Sequence, residues 1–111
     1  MTQGSNTSFL AGTLELIVLQ LLQAEPTNGY DLTLRIQAIS NDVLNVNAGS
    51  LYPALHRLEN EGWIEGEWVK SATLRRVKEY RLTPAGGKRL MSQRSAWRSY
   101  ARAVDLILEA P

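Results

Sequence analysis

The stretch Asn47 to Gly62, NAGSLYPALHRLENEG, constrains the fold of this chain more than any other. Leu51, Leu55 and Leu58 recur at spacings of three and four, and at roughly 100° per residue they form one narrow apolar stripe. Pro53, His56 and Asn60 fall opposite that stripe, with Gly49 and Arg57 beside them. Ser50 and Pro53 near the start and Gly62 at the end read as helix start and stop signals, which predicts a helix of about three turns. So short a helix is marginal alone. It must dock its leucines on other elements and leave the opposite face for another use.

The flanking sequence supplies those elements. The 111 residues fit one domain with a modest core. The polar start, residues 1–12, reads as a flexible segment. From Thr13, LELIVLQLLQAE places Leu14, Ile17, Val18, Leu21 and Leu22 on one face, predicting a first helix that ends near Glu25, before Pro26. PTNG reads as a turn. Tyr30 to Ser40 offers Leu32, Ile36 and Ile39 at helical spacing, with Asn28 or Asp31 able to cap a second helix. Ser40 to Asn47 then forms a polar link, with Val43, Leu44 and Val46 to hold it to the core. Three helices joined this closely can form a helix-turn-helix.

After Gly62 the period changes. Trp63, Ile64, Trp68 and Val69, then Val77, Tyr80 and Leu82, mark two strands of a hairpin with KSATLRR between them. Thr83 and Pro84 start a last helix, a hydroxyl cap followed by proline at the first helical position. Along it Leu90, Trp97 and Val104 repeat every seven residues, with Ala101 and Leu108, and Tyr100 and Ile107, in neighbouring rows. A stripe of this kind packs most economically against the same helix of a second copy; the alternative is that it folds back on its own three-helix core. Gly86 and Gly87 cost ~1 kcal/mol each relative to alanine, which predicts a flexible hinge near the start of this helix. The fold class is therefore mainly α with a small β-hairpin: a winged helix-turn-helix over residues 13–83, plus a C-terminal dimerisation helix over 84–111.

Charge is distributed unevenly behind a formal net of +1. Residues 1–69 hold two arginines against eight carboxylates, a net of −6, whereas residues 70–104 hold ten cations against Glu79 alone, a net of +9. A concentrated basic third points to a polyanionic partner, although for Arg94 to Arg102 a solvated helix face explains the charge equally well. With no cysteine there is neither disulfide nor thiolate metal site, and a reducing cytoplasm is the expected compartment. The first dozen residues lack a basic n-region and a long apolar core, and no stretch approaches the ~18 apolar residues of a membrane span. Enzymatic motifs are missing too: no phosphate-cradling glycine loop, no histidine pair, and no GxSxG spacing in GSLYP. No cofactor or metal is expected. A small helical module whose third helix fills a protein groove is the competing reading, and such a module would not need the basic third.

GTLELIVLQLL, NGYDL, GSLYPALHRLENEGWIEGEW and EYRLTPAG, in this order and spacing, resemble the PadR family of bacterial transcriptional regulators, in its short form with one C-terminal helix. The likeness runs from about Gly12 to Leu108. It implies a homodimeric regulator, a repressor binding a palindromic operator in double-stranded DNA. The third helix of such a domain enters the major groove, with Ser50, Tyr52, Pro53, His56, Arg57 and Asn60 as its candidate contacts. Ser50 and the first amides can donate to phosphate. Tyr52 can reach phosphate or pack over the second helix. Arg57 can read guanine, grip phosphate or pair with Glu61, and His56 either makes a polar contact or is simply exposed. Lys70, Arg75, Arg76 and Lys78 of the wing contact the DNA backbone, adding affinity without reading sequence. Leu90, Trp97, Tyr100, Ala101, Val104, Ile107 and Leu108 are the candidate dimer interface. Some members of the family hold planar aromatic effectors between the DNA-binding domain and the dimer helices, so Trp97 is either an effector contact or ordinary dimer core.

Overall fold

The computed structural model describes residues 6–7, 9–10 and 12–111. Their order is α1 (Thr13–Ala24), β1 (Thr27–Asn28), α2 (Gly29–Ile39), α3 (Ala48–Asn60), β2 (Ile64–Lys70), β3 (Arg76–Leu82) and α4 (Pro84–Glu109). This is the mostly helical winged architecture expected, with one addition. The turn PTNG contains β1, which pairs antiparallel with β3 through Thr27 to Tyr80 and Asn28 to Glu79, so the hairpin is a three-stranded sheet in the order β1-β3-β2.

Local chemistry explains each helix boundary. The Asn28 side chain accepts from the Asp31 N–H and caps α2. For α3 the cap is Asn47, whose side chain accepts from the Ser50 N–H, and not Ser50 itself. Pro53 therefore lies beyond the first turn, where its missing N–H leaves the Gly49 carbonyl without its helical donor. At the other end of α3, Trp63 N–H donates to the Leu58 carbonyl and Gly62 N–H to the Glu59 carbonyl, with Gly62 at φ 78°; this crossed pair is the stop that Gly62 signals in the sequence. Thr83 caps α4 by accepting from the Gly86 N–H at 3.0 Å.

The core is one cluster built from α1 (Leu14, Val18, Leu19, Leu22), α2 (Leu32, Ile36), α3 (Leu51, Ala54, Leu55, Leu58), the sheet (Ile64, Tyr80) and Leu90 of α4. Leu90 is fully buried. That corrects its expected place in a dimer interface: the first turns of α4 lie against α1, and Leu90 completes the monomer's own core. Farther along α4, Tyr100, Leu106, Ile107 and Leu108 are exposed, and Ala101 and Val104 are half-buried. Within the link to α3, Val46 is buried and Leu44 packs on the core, but Val43 is exposed and anchors nothing.

Two further expectations are corrected. The start of the chain is not free where it is described: Thr7 N–H donates to the Asn45 carbonyl at 2.7 Å, Asn45 N–H donates to Thr7 Oγ1, and Phe9 packs on the core; residues 1–5, 8 and 11 lie outside the described residues. Nor is Gly86 a loose hinge. It is buried against the Trp63 carbonyl, leaving no room for a β-carbon, whereas Gly87 faces open space.

Candidate nucleic-acid interface

The outward side of α3 carries the residues expected of it. Leu51, Ala54, Leu55 and Leu58 are buried, and Pro53, His56, Arg57 and Asn60 are exposed on the other side. His56 and Asn60 stand one turn apart on this surface. Ser50 lies near the start of the helix, half-buried, its hydroxyl accepting from the Asn6 side chain at 2.8 Å. Asn6 also accepts from the Asn47 N–H at 3.1 Å, so the segment before α1 lies across the positive end of α3. Nothing in the local sequence signals this contact, which joins residues more than forty positions apart.

Tyr52 and Arg57 are also engaged inside the fold. The Tyr52 ring covers the first residue of α2: a β-carbon on Gly29 would come 2.5 Å from the Tyr52 hydroxyl. Packing α3 on α2 is thus one use of Tyr52, while its side chain remains partly exposed. Arg57 does not pair with Glu61. Its Nε and Nη2 both donate to Glu15 of α1, at 3.0 and 2.8 Å, in a pair that leaves the arginine largely exposed. Arg57, Ser50 and Pro53 share a cleft with Asn6, Thr7 and Glu15.

The wing joins this surface through one ion pair. Lys78 Nζ of β3 donates to Glu59 Oε1 of α3 at 3.2 Å and lies 5.4 Å from the centre of the Tyr80 ring. Glu59, an acid on a helix expected to approach DNA, is therefore matched by a cation. Burial raises the Tyr80 phenol above its ordinary pKa, an effect opposed by the Lys78 ammonium and reinforced by Glu59. Lys70, Arg75 and Arg76 remain exposed. The chain reverses between the strands through Ser71–Arg75, closed by Ser71 N–H to the Arg75 carbonyl at 2.8 Å, with Leu74 left-handed at φ 66°.

The two faces of the hairpin differ in charge. Opposed pairs Gly66 and Tyr80, Trp68 and Lys78, and Lys70 and Arg76 share the face that meets α3. The reverse face carries Glu65, Glu67 and Glu79, with Arg81 pairing to both Glu65 and Glu67 at 3.3 Å. Cations are thus gathered on the side continuous with α3.

The α4 residues fall into two groups. Arg89 stacks its guanidinium 4.4 Å from the Trp63 ring centre, and Arg94 donates to Gln20 of α1 at 2.6 Å, so these two cations hold α4 to the domain. Trp97 and Tyr100 form a tilted aromatic pair 6.3 Å apart. Trp97 also edges a groove of about 410 Å³ between α1, α2 and α4, floored by Leu16, Ile17, Leu21, Ile36 and Ile39 and rimmed by Arg35, Arg94 and Arg98. Ala101 and Val104 are half-buried. Among the described residues there is no cluster of potential metal ligands, and no helix is long and apolar enough to cross a membrane.

Known proteins share this fold. Residues 18–92 match the model of the transcriptional regulator PadR-like family. The transcriptional regulator Rv3488 of Mycobacterium tuberculosis is 44% identical over 69 residues, 61% of this chain and 63% of its own. A PadR-like transcriptional regulator from Bacillus cereus superposes with a TM-score of 0.78 at 28% identity, covering 90% of this chain and 95% of that one. A PadR family regulator from Eggerthella lenta gives 0.74 at 31% identity, over 90% of this chain and 85% of its own. The family match covers more than half the chain and includes α3, the wing and the start of α4, so this chain belongs to the PadR-like family of transcriptional regulators.

Proposed function

We propose that this regulator binds a palindromic or pseudo-palindromic operator as a homodimer, seating two copies of α3 in successive major grooves and acting as a repressor. The observation that carries the reading is the continuity of the outward α3 face with the cationic face of the wing, joined at Lys78 and Glu59. One surface can then place Ser50, Pro53, His56, Arg57 and Asn60 toward base edges and phosphates while Lys70, Arg75 and Arg76 lie along the flanking backbone. Tyr52 contributes its hydroxyl from the edge of that surface, and Lys78 keeps Glu59 from repelling phosphate. A dimer on such a site represses by occupying it.

Dimerisation is supported by the uncovered stripe of Tyr100, Ile107 and Leu108 and by the charge order along α4. Arg94, Arg98 and Arg102 precede Asp105 and Glu109. Two copies crossing antiparallel bring the acidic end of one helix to the basic middle of the other. Trp97, Ala101 and Val104 then lie near the crossing. A second reading concerns the groove beside Trp97: its apolar floor and arginine rim suit a small planar aromatic effector held between the DNA-binding domain and the dimer helices.

Band-shift titration against the chain's own upstream region tests the assignment. Binding should fall steeply with salt, because each neutralised phosphate releases counterions. Arg57→Ala combined with Arg76→Ala should weaken it; unchanged affinity in the double variant would reject these contacts. Failure to bind any duplex at low salt would favour a protein-binding role for α3 instead. A stable monomer by light scattering at micromolar concentration would refute the dimer.

A further inference from the structure

Trp68 is a large aromatic side chain at 58% exposure near the far end of the hairpin. Neither the core nor the α4 stripe explains it. Its ring carries the Arg76 guanidinium 5.6 Å from the centroid. Register explains how the two meet: Trp68 faces Lys78, Lys70 faces Arg76, and Trp68 and Arg76 are the diagonal pair on one face of the ladder. It is the face that meets α3, because Gly66 and Lys78 on it lie against Glu59. The reverse face holds Glu65, Glu67 and Glu79 and would repel a polyanion.

Given the DNA-binding reading above, on which this inference rests, position decides what such a pair can touch. Glu59 lies in the last turn of α3, so the wing projects from the C-terminal flank of that helix. With α3 seated in a major groove, an element at that flank meets the sugar-phosphate wall beyond it and the adjoining minor groove. Deoxyribose offers an apolar surface to the indole. A planar guanidinium already ordered over a ring loses little freedom on entering a narrow groove.

We propose that Trp68 and Arg76 form one contact unit, Trp68 packing on the sugar wall and steering Arg76 into the minor groove that flanks each α3 site. Arginine favours the narrow, strongly negative minor groove of A·T-rich sequence, and the guanine 2-amino group obstructs it. Trp68 therefore sets a preference for A·T-rich flanks that α3 does not read.

The test uses the full chain and duplexes that the wild-type protein selects from a randomised pool, remade with flanks of A·T, G·C or inosine·C. Inosine·C presents the minor groove of A·T with the major groove of G·C. Wild-type protein should bind A·T and inosine·C flanks alike and G·C flanks about tenfold more weakly. Trp68→Ala should weaken binding to the best duplex about tenfold, as for loss of an aromatic anchor, and flatten the preference. Arg76→Lys keeps the charge and the fold but should flatten the preference too. DNA should change the tryptophan fluorescence of the wild type, and Trp68→Phe should lose most of that change. Trp68→Ala or Arg76→Lys retaining the full flank preference would overturn the proposal, as would a wild-type preference that follows G·C and inosine·C together. A wild-type protein that selects no duplex would overturn the DNA-binding reading itself.

Discussion

Gly86 of α4 packs so tightly against the carbonyl of Trp63, just past the end of α3, that a β-carbon on it would collide with backbone. Two hydrogen bonds reinforce the junction: Thr83 N–H donates to the same Trp63 carbonyl at 3.1 Å, and Thr83 Oγ1 donates to the Gly62 carbonyl at 2.7 Å. The direction of α4 is thereby tied to that of α3. Gly86→Ala should cost about 1–3 kcal/mol despite alanine's better helix propensity, since the backbone must shift to admit it. Gly87→Ala, facing open space, should gain up to about 1 kcal/mol. Urea unfolding of the two variants tests the contrast, and equal effects would contradict it.

Leu90 and Ile107 lie on the same helix but serve different ends. Leu90 is fully buried in the monomer and Ile107 is 73% exposed. Leu90→Ala should lower stability by about 2–5 kcal/mol at any protein concentration. Ile107→Glu should leave helix content intact and shift the subunit equilibrium toward monomer, as read by sedimentation. Dissociation without loss of fold in Leu90→Ala would return that residue to the interface.

Arg57 is held by Glu15, an acid that would face phosphate once DNA is bound. The pair is solvent-exposed and worth no more than about 1 kcal/mol. Glu15→Gln should therefore move thermal stability little and strengthen DNA binding a few-fold at fixed salt, since Arg57 no longer exchanges one anion for another. Weakened binding would instead show that Glu15 positions Arg57 for its contact.

Tyr80 supplies a pH signature of the wing's attachment. Burial disfavours its phenolate, raising its pKa in the folded protein above the ordinary 10.0. An unfolded chain then loses this proton first as pH rises, so folding stability falls once pH passes about 10 and levels off only above the folded pKa. Tyr80→Phe should remove that part of the decline. Urea melts at about pH 9 and about pH 11 check it, because other titrating groups are common to both proteins.

What was legible in the sequence was local. Helical periodicity with Asn28, Gly62 and Thr83 located the helix ends because capping is settled within a few residues. β1 escaped because two residues carry no period, and Thr27 is buried only by pairing with Tyr80, far along the chain. Helical spacing offers Arg57 a partner in Glu61 on its own helix, but the acid that holds it is Glu15, 42 residues away. Leu90 shares a seven-residue spacing with Trp97 and Val104, and spacing alone does not reveal that α1 covers the first turns of α4 and not the last. A buried stripe defines the outward face of α3 within one helix, whereas only the folded chain brings Asn6 to Ser50.

The most direct measurement for a paired reader of DNA is a hydroxyl-radical footprint of the full-length protein on a duplex it selects. Two copies of α3 fixed by α4 should leave two protected patches related by two-fold symmetry, with centres about one helical turn, roughly 10 base pairs, or a multiple of it apart. Gly86→Ala should blur that spacing before it abolishes binding. A single protected patch, with one protein chain per duplex, would contradict the account.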